Sequence, residues 1–557
     1  MSKTMARFAF GGLLATLVVA SVGHGADEPV KKPAAPAKTY VVLVGVDKAA
    51  DPAIKTRQFA EADAKAFYDL FTDKQFLGVP KDQVKLLTGT ADAGRGGEVA
   101  THDNVLKALN WLAQTAEPQD LVVYGFFGQG GPIGDSGDRT AYFVADSTFK
   151  DRGKNALAAA EIQDALKNLK ANKMAVFLDV NFKGFAPVKG VADVSLGQTP
   201  YKEFLGDDGS EDHAALPGRV LFLATNGLAQ SLDLDKNGLF ASTVLAALKG
   251  AADKEGYEPD GNVTVDELAR YLDKELPSQA AKVGKTKEEK EQGHFVLGTR
   301  DSHFALTKNP AETPKVEGRL AKFAEAVQAK KIPVGFMDEG KGLLTRMPKL
   351  EAQRKLRAEY QNLVDGKLDL AGFEKARTAI IDSTKLRRSD ALSYGEKVME
   401  AVKIIRENHV KTTTPGQMID WGVKGLFRRI EEPLPAEVEA KLKDVKNLRE
   451  ADLMLILVDA RLALGKREDL DKNKDLSITL QRMLSNLDPY TTFIDAETKQ
   501  KFEADTRGNF TGIGIQIRKD AATDQLLVVT PIMGSPAYKA GIQAGDLIVR
   551  VLRDVDS

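Results

Sequence analysis

The sequence has no cysteine in 557 residues. That absence excludes a disulfide framework, zinc–cysteine and iron–sulfur centres, a cysteine nucleophile and a lipid-modified N-terminal cysteine. It also lacks a charge surplus: 78 Lys and Arg stand against 79 Asp and Glu, a net charge of -1. A nucleic-acid binder would normally be basic, so nucleic acid is not an expected partner. Histidine is sparse. None of the six, His24, His102, His213, His294, His303 and His409, lies at close metal-ligand spacing with another histidine or a matched acid. No metal or cofactor is therefore expected. Long apolar runs are missing too. The run over residues 8–22 has 15 residues, where a membrane span needs about 20.

That run follows Lys3 and Arg7 and precedes Gly23, Gly25 and Ala26. A basic start, an apolar centre and a small-residue end predict a secretory signal peptide over 1–26, with an uncleaved anchor as the alternative. The expected location is outside the cytoplasm, periplasmic or extracellular. Residues 27–38, with Pro29, Pro33 and Pro36, read as a Pro/Ala/Lys linker. Residues 39–308 then alternate between two periodicities. β-branched and apolar runs predict strands over 40–46, 84–87, 121–127, 174–178 and 220–225. Helical spacing covers 59–71, 104–113, 162–169, 240–248 and 265–272. The alternation predicts an α/β domain, a mainly parallel sheet with helices on both faces. In such sheets sites form beyond the carboxyl ends of the strands. Two ends carry the informative residues: Phe127-Gly128-Gln129-Gly130 and Asp179-Val180-Asn181-Phe182-Lys183-Gly184.

These segments resemble the caspase and metacaspase family, which ends its third strand with Ser-Gly-His-Gly and its fourth with Asp-x-Cys-x-Ser-Gly. Ala62-Asp63-Ala64, residues 100–105 and Gly238-Leu239-Phe240 resemble further family segments in the same order, and the likeness covers about half of the chain. It implies a caspase-like fold whose general base aligns with Gln129 and whose nucleophile aligns with Asn181. A Gln amide does not titrate near neutral pH, and an Asn amide nitrogen is a very poor nucleophile. The resemblance thus implies a degenerate dyad, flanked by Gly128, Gly130, Asp179 and Gly184. In the family the acid at Asp179 helps shape a pocket for basic side chains. A further acid of that pocket is missing from Thr225-Asn-Gly-Leu-Ala-Gln-Ser231, which leaves Lys or Arg specificity open. The cleft either binds a peptide without cutting it or persists as scaffold. Lys183 is the one replacement base in view, and it is expected to point into solvent.

Two partial calcium-loop patterns, Asp233-Leu-Asp235-Lys-Asn237-Gly238 and Gly261 to Glu267, each lack the other half of the motif. Turn chemistry accounts for both. Residues 309–390 are dense in both charge signs and read as a charged helical linker with solvated faces. Residues 391–508 are helical, and Leu484-Ser-Asn-Leu487-Asp488-Pro489-Tyr490 resembles the helical N-terminal region of carboxyl-terminal processing proteases. Residues 509–557 contain Ser535-Pro536-Ala537-Tyr-Lys-Ala540-Gly541-Ile-Gln-Ala-Gly545-Asp546-Leu547-Ile548, which resembles the short helix and next strand of that family's PDZ domain. The resemblance makes Thr511, Gly512, Ile513, Gly514 and Ile515 the peptide-binding loop and strand. Backbone N–H groups there can hold a terminal carboxylate while the strand pairs with the peptide. The reading is of a partial, truncated β-rich PDZ domain, with the family's Ser–Lys dyad expected beyond Ser557 in a longer gene and a genuine truncation as the alternative. The expected function is that of an exported, peptidase-family protein. Its inactive caspase-like domain would bind peptides or regulate, joined to the front of a carboxyl-terminal processing serine protease. The alternatives are a non-catalytic binding or assembly protein, and a caspase-like peptidase with rewired residues.

Overall fold

A computed structural model describes residues 36–134, 137, 139–187, 189–191, 194, 201–206, 218–225, 227–410, 413–487, 491, 493–494, 513–519, 526–543 and 546–548. The segment predicted as a signal peptide, 1–26, and most of the predicted 27–38 linker lie outside these residues, as does Asp488-Pro489-Tyr490.

The β-branched run at the start forms strand β1 (Thr39–Gly45), and its neighbours follow in chain order. They are β2 (Val84–Thr88), β3 (Glu98–Val99), β4 (Leu121–Pro132), β5 (Thr140–Tyr142), β6 (Leu157–Ala158), β7 (Lys173–Asn181), β8 (Arg219–Leu223), β9 (Asn262–Thr264), β10 (Phe295–Gly298) and β11 (Ala305–Lys308). The main sheet runs β10-β8-β7-β4-β1-β2-β3. All its pairs are parallel except β10 with β8. β1 lies with Thr39 opposite Leu121, and β4 with Leu121 opposite Lys173. Alternate side chains serve two cores, as the period of a strand requires. Val41, Leu43, Val123 and Phe177 pack with Phe67 and Phe71 of the helix Ala60–Thr72 and with Phe240 and Leu268. Val42, Val44, Tyr124 and Val176 pack with Leu109, Leu112 and Ile162 of helices on the opposite face. The predicted mainly parallel sheet with helices on both faces is therefore present.

Several elements exceed their predicted lengths. β4 continues through Gly128, Gln129 and Gly130 to Pro132 and then pairs with β5. β7 continues through Asp179 to Asn181. The helix predicted over 265–272 runs from Val265 to Val283 with Pro277 inside it.

The charged stretch after 309 forms helices Thr313–Gln328, Met337–Thr345, Glu351–Val364 and Leu370–Thr384. They enclose a core of Phe323, Leu344, Leu356, Tyr360 and Phe373, where charge density alone pointed to solvated faces. Helices Arg388–Asn408, Pro415–Arg429, Ala436–Leu442, Glu450–Leu464 and Lys474–Ser485 build another around Val398, Ile419, Val423, Leu457 and Met483. Hydrogen bonds tie these helices to the sheet domain. His303 Nε2 meets the Met347 carbonyl at 2.8 Å. Met347 N donates to Asp260, and Ser302 Oγ donates to Glu431. A last small antiparallel sheet contains β12 (Ile515–Lys519), β13 (Leu526–Pro531) and β14 (Leu547–Ile548) in that order. Among the described residues no helix is long and apolar enough to cross a membrane.

Candidate functional site

The parallel register brings Gln129 directly opposite Asn181 at the carboxyl ends of β4 and β7. Two glycines allow the close packing around them. A Cβ on Gly184 would sit 2.3 Å from Gln129 Oε1, and one on Gly130 would sit 2.4 Å from the Phe182 ring. At Gly128 a Cβ would meet the Phe126 ring at 3.2 Å, a milder constraint. Gln129 is 3% exposed and Asn181 8%. Their amides differ in use. Asn181 Oδ1 accepts from Lys183 N at 2.9 Å, an Asx turn that shapes the chain up to Gly184. Gln129 Oε1 and Nε2 are both buried without a hydrogen-bond partner among the described residues. Neither amide can exchange a proton near neutral pH, so the pair offers no nucleophile–base couple. Lys183 is half-buried rather than extended into solvent.

Asp179 lies two residues before Asn181 on the same strand face and is 2% exposed. Its carboxylate is already claimed. Arg57 Nη2 donates to Asp179 Oδ2 at 2.8 Å, and Ser231 Oγ reaches both oxygens at 2.6 and 2.7 Å. Arg57, 1% exposed, also donates through Nη1 to Asp233 Oδ1 at 2.8 Å. Burial pulls the Arg57 pKa down, but Asp179 and Asp233 more than reverse this and leave it raised. Asp63 closes the cluster. It accepts from Gly238 N and Asn237 Nδ2, and burial followed by the charge of Asp179 pushes its carboxyl up to about 7. The position expected to receive a basic side chain from outside is thus filled by an arginine of the same chain. An incoming Lys or Arg would have to displace Arg57. Sequence reasoning missed Arg57; the one available signal was that a buried carboxylate requires a cation or several donors.

The two partial calcium loops have structural uses. Asp233 and Asn237 serve the Arg57 and Asp63 cluster. Glu267 Oε2 accepts from Thr264 N at 2.8 Å as the reciprocal cap of the helix Val265–Val283. Histidines also have local partners: His102 meets Glu161 at 3.1 Å, His294 meets Asp273 at 3.4 Å, and His303 Nδ1 meets Asp266 at 2.9 Å. Burial pushes the Asp266 carboxyl up, but His303, Thr264 and Tyr257 outweigh it and bring the pKa to about 2. His24 and His213 lie outside the described residues.

Of the peptide-binding candidates, Thr511 and Gly512 lie outside the described residues. Ile513 is 53% exposed, Gly514 has φ +80°, and Ile515 begins β12. A Cβ on Gly514 would sit 2.2 Å from Ser535 Cβ, and the Gly514 carbonyl accepts from Ser535 Oγ at 2.9 Å and Ile532 N at 2.8 Å. Ala537 N bonds the Ile513 carbonyl at 2.9 Å. The segment is therefore locked to the Ser535-Pro536-Ala537 turn, and β12 stands at the edge of its sheet.

No protein-family model matches the chain. Part of the chain is similar to processing proteases. It is 35% identical over 88 residues to a chloroplastic C-terminal processing peptidase of Tetradesmus obliquus, which is 15% of this chain and 19% of that protein. It is 38% identical over 82 residues to the carboxy-terminal processing protease CtpA of Bacillus subtilis, 14% and 17% of the two chains. It is 37% identical over 87 residues to a probable CtpA-like serine protease of Staphylococcus aureus, 15% and 17%. The chain thus spans less than a fifth of the length of these curated relatives. Among solved structures, a Geobacter sulfurreducens protein covers 47% of this chain and 94% of its own at 18% identity, with a TM-score of 0.31. Pro-sf-caspase-1 covers 49% and 95% at 10% identity, with a TM-score of 0.28.

Proposed function

We propose that this is an exported, peptidase-related protein that binds rather than cuts. In this reading the 39–308 domain is a pseudopeptidase that binds peptides or regulates, and the 509–557 segment captures the carboxylate end of a peptide in the manner of a PDZ domain. The observation that carries the proposal is the Gln129–Asn181 pair: two amides in register where nucleophilic catalysis needs a thiolate and a base. The edge position of β12, unpaired on its outer side among the described residues, and the left-handed Gly514 support the second part, because an extended peptide can add to such an edge. In a longer protein of the processing-protease type, the same arrangement would deliver a captured chain end to a Ser–Lys site.

The test has two arms on the full chain. Peptide substrates with Arg, Lys or Asp at the cleavage position should show no turnover. Turnover that disappears on Asn181→Ala or Lys183→Ala would instead establish a rewired peptidase. A labelled peptide with a free C-terminal carboxylate should bind, its amidated twin should bind at least tenfold more weakly (about 1.4 kcal/mol), and Gly514→Val should weaken the carboxylate form. Equal binding of the two peptides would remove the carboxylate-capture role. N-terminal sequencing of the secreted protein should begin after Ala26. The internal Arg57–Asp179 contact favours a second reading, in which the 39–308 domain is an assembly scaffold with no peptide ligand of its own.

A further inference from the structure

Where the sheet domain meets the first group of helices there is a cleft of about 450 Å³, lined by Lys254, Tyr257, Glu258, Met347, Arg354, Arg357 and Gln361 among others. Its volume is that of a site for a small organic molecule. Its polar groups are unbalanced. Three cations, Lys254, Arg354 and Arg357, face a single acid, Glu258, which is itself exposed.

Arg357 is the informative residue, because it is 1% exposed and forms no ion pair within reach among the described residues. Its Nη1 donates to the Leu343 and Leu344 carbonyls at 2.7 and 3.0 Å, in the last turn of the helix Met337–Thr345. The Nε and Nη2 atoms have no hydrogen-bond partner among the described residues. That edge of a guanidinium is the fork that takes two oxygens of a carboxylate or phosphate. Gln361 Nε2, a donor on the helix Glu351–Val364 that also carries Arg357, is likewise buried without a partner among the described residues. The nearby buried acids are occupied elsewhere. Asp260 accepts from Asn262 and Met347, and Asp253 from Asp260 N, Gly261 N and Asn309 Nδ2. Asp260, Glu258 and Asp253 act on Arg357 only through their charge, and burial outweighs them; a buried cation with two idle donors is costly unless something supplies a direct partner.

We propose that this cleft is a binding site for a small organic oxyanion, whose phosphate or carboxylate group takes the Nε–Nη2 edge of Arg357 while its carbon part lies against Tyr257 and Met347. Arg354 and Lys254 supply further positive charge at the entrance. Arg354 already lies 5.8 Å from the Tyr257 ring centroid, with Arg270 4.7 Å from it. The two idle donors are covered, so a ligand reaches them by a side-chain rotation at the cleft wall rather than by filling open space. The site is independent of the Gln129–Asn181 pair and of β12.

Calorimetric titration of the full chain with phenyl phosphate, benzoate and inorganic phosphate tests this, the first two separating phosphate from carboxylate preference and the third isolating the anion itself. Saturable binding of at least one probe is expected. Arg357→Met should weaken it by about 10- to 100-fold, the worth of a charge-assisted hydrogen-bond pair, and Gln361→Leu by less. Should Arg357→Met fail to fold, Arg354→Gln decides, since its loss should still weaken binding severalfold. No saturable binding of any probe at millimolar concentration, binding unchanged by a folded Arg357→Met, or binding indifferent to Arg354 and Gln361 would overturn the proposal and leave Arg357 as a cap for the Leu343 and Leu344 carbonyls only.

Discussion

Asp179→Ala is the most informative perturbation of the sheet domain, because it removes the main counter-charge from a buried arginine. Arg57 loses its 2.8 Å contact with Asp179, and Ser231 loses its acceptor. Breaking a buried pair from one side costs about 3–5 kcal/mol, most of it from the charge left without a partner. Here Arg57 keeps Asp233 at 2.8 Å, and the Asp233 side chain is 20% exposed and thus partly screened. The expected loss is therefore near the lower end, about 3 kcal/mol. Arg57→Met should cost a similar amount, since Asp179 would retain only the Ser231 hydroxyl. The double variant Arg57→Met/Asp179→Leu leaves no buried charge at that contact and should lie within about 1 kcal/mol of either single variant or better, because apolar replacement of buried pairs is often neutral. The single costs should thus fail to add, with a coupling of at least about 2 kcal/mol.

Denaturant titration of the full chain, following the transition that reports the sheet domain, measures all four proteins under one condition. If Asp179→Ala costs less than about 1 kcal/mol, the contact behaves as a surface ion pair and the cluster is open to water. If the two single costs simply add, Arg57 and Asp179 do not depend on each other. Either result would refute the claim that Arg57 fills the Asp179 position, and would reopen that position to a basic side chain from outside.

Other substitutions bear on neighbouring groups. Gln129→Met removes an amide whose two polar atoms are buried without partners, so it should stabilise the protein by about 1 kcal/mol or more in thermal or denaturant unfolding; destabilisation would mean that the amide is satisfied. Gly184→Ala places a Cβ 2.3 Å from Gln129 Oε1 and 2.6 Å from Gln129 Cβ and should cost about 1–3 kcal/mol, a cost that Gln129→Ala in the same chain should relieve only in part, because alanine keeps the Cβ. Asp266, held at about 2 when folded, adds stability above the unfolded carboxyl pKa of about 4 that disappears as pH falls through 2. Its contribution is about 2 kcal/mol, and Asp266→Asn should flatten that part of the pH–stability curve; an unchanged slope would show that the His303 contact does not form.

The parts of the fold legible in the sequence are those where side chains carry the signal. Val41 to Val44 alternate between two cores, and the run of branched residues marks β1 without ambiguity. β4 is harder, because Gly128, Gly130 and Gly131 have no side chains and read as a loop. Their emptiness is what lets Phe182 and Phe143 rings cover the backbone, so the strand goes on. β5 and β6, of three and two residues, are too short to show any period. The helices after 309 hide their core for a different reason. Phe323, Leu344, Tyr360 and Phe373 are few among many charges, yet they converge from four helices.

The same division runs through the candidate site. Gln129, Asn181 and Asp179 were legible because their motif is local. Arg57 was not, since it lies 122 residues from Asp179 in the chain and a lone arginine in an irregular segment has no pattern. The two amides then part company. Asn181 performs a structural task, closing the turn through Lys183 N, so its retention follows from the fold alone. Gln129 performs none among the described residues, where its oxygen and nitrogen are both idle. A residue kept for stability would not be a buried, unsatisfied amide, because an apolar side chain of the same size fits that environment better. Of the two positions where catalytic chemistry is missing, Gln129 is therefore the one whose side chain still calls for an explanation outside the folded domain.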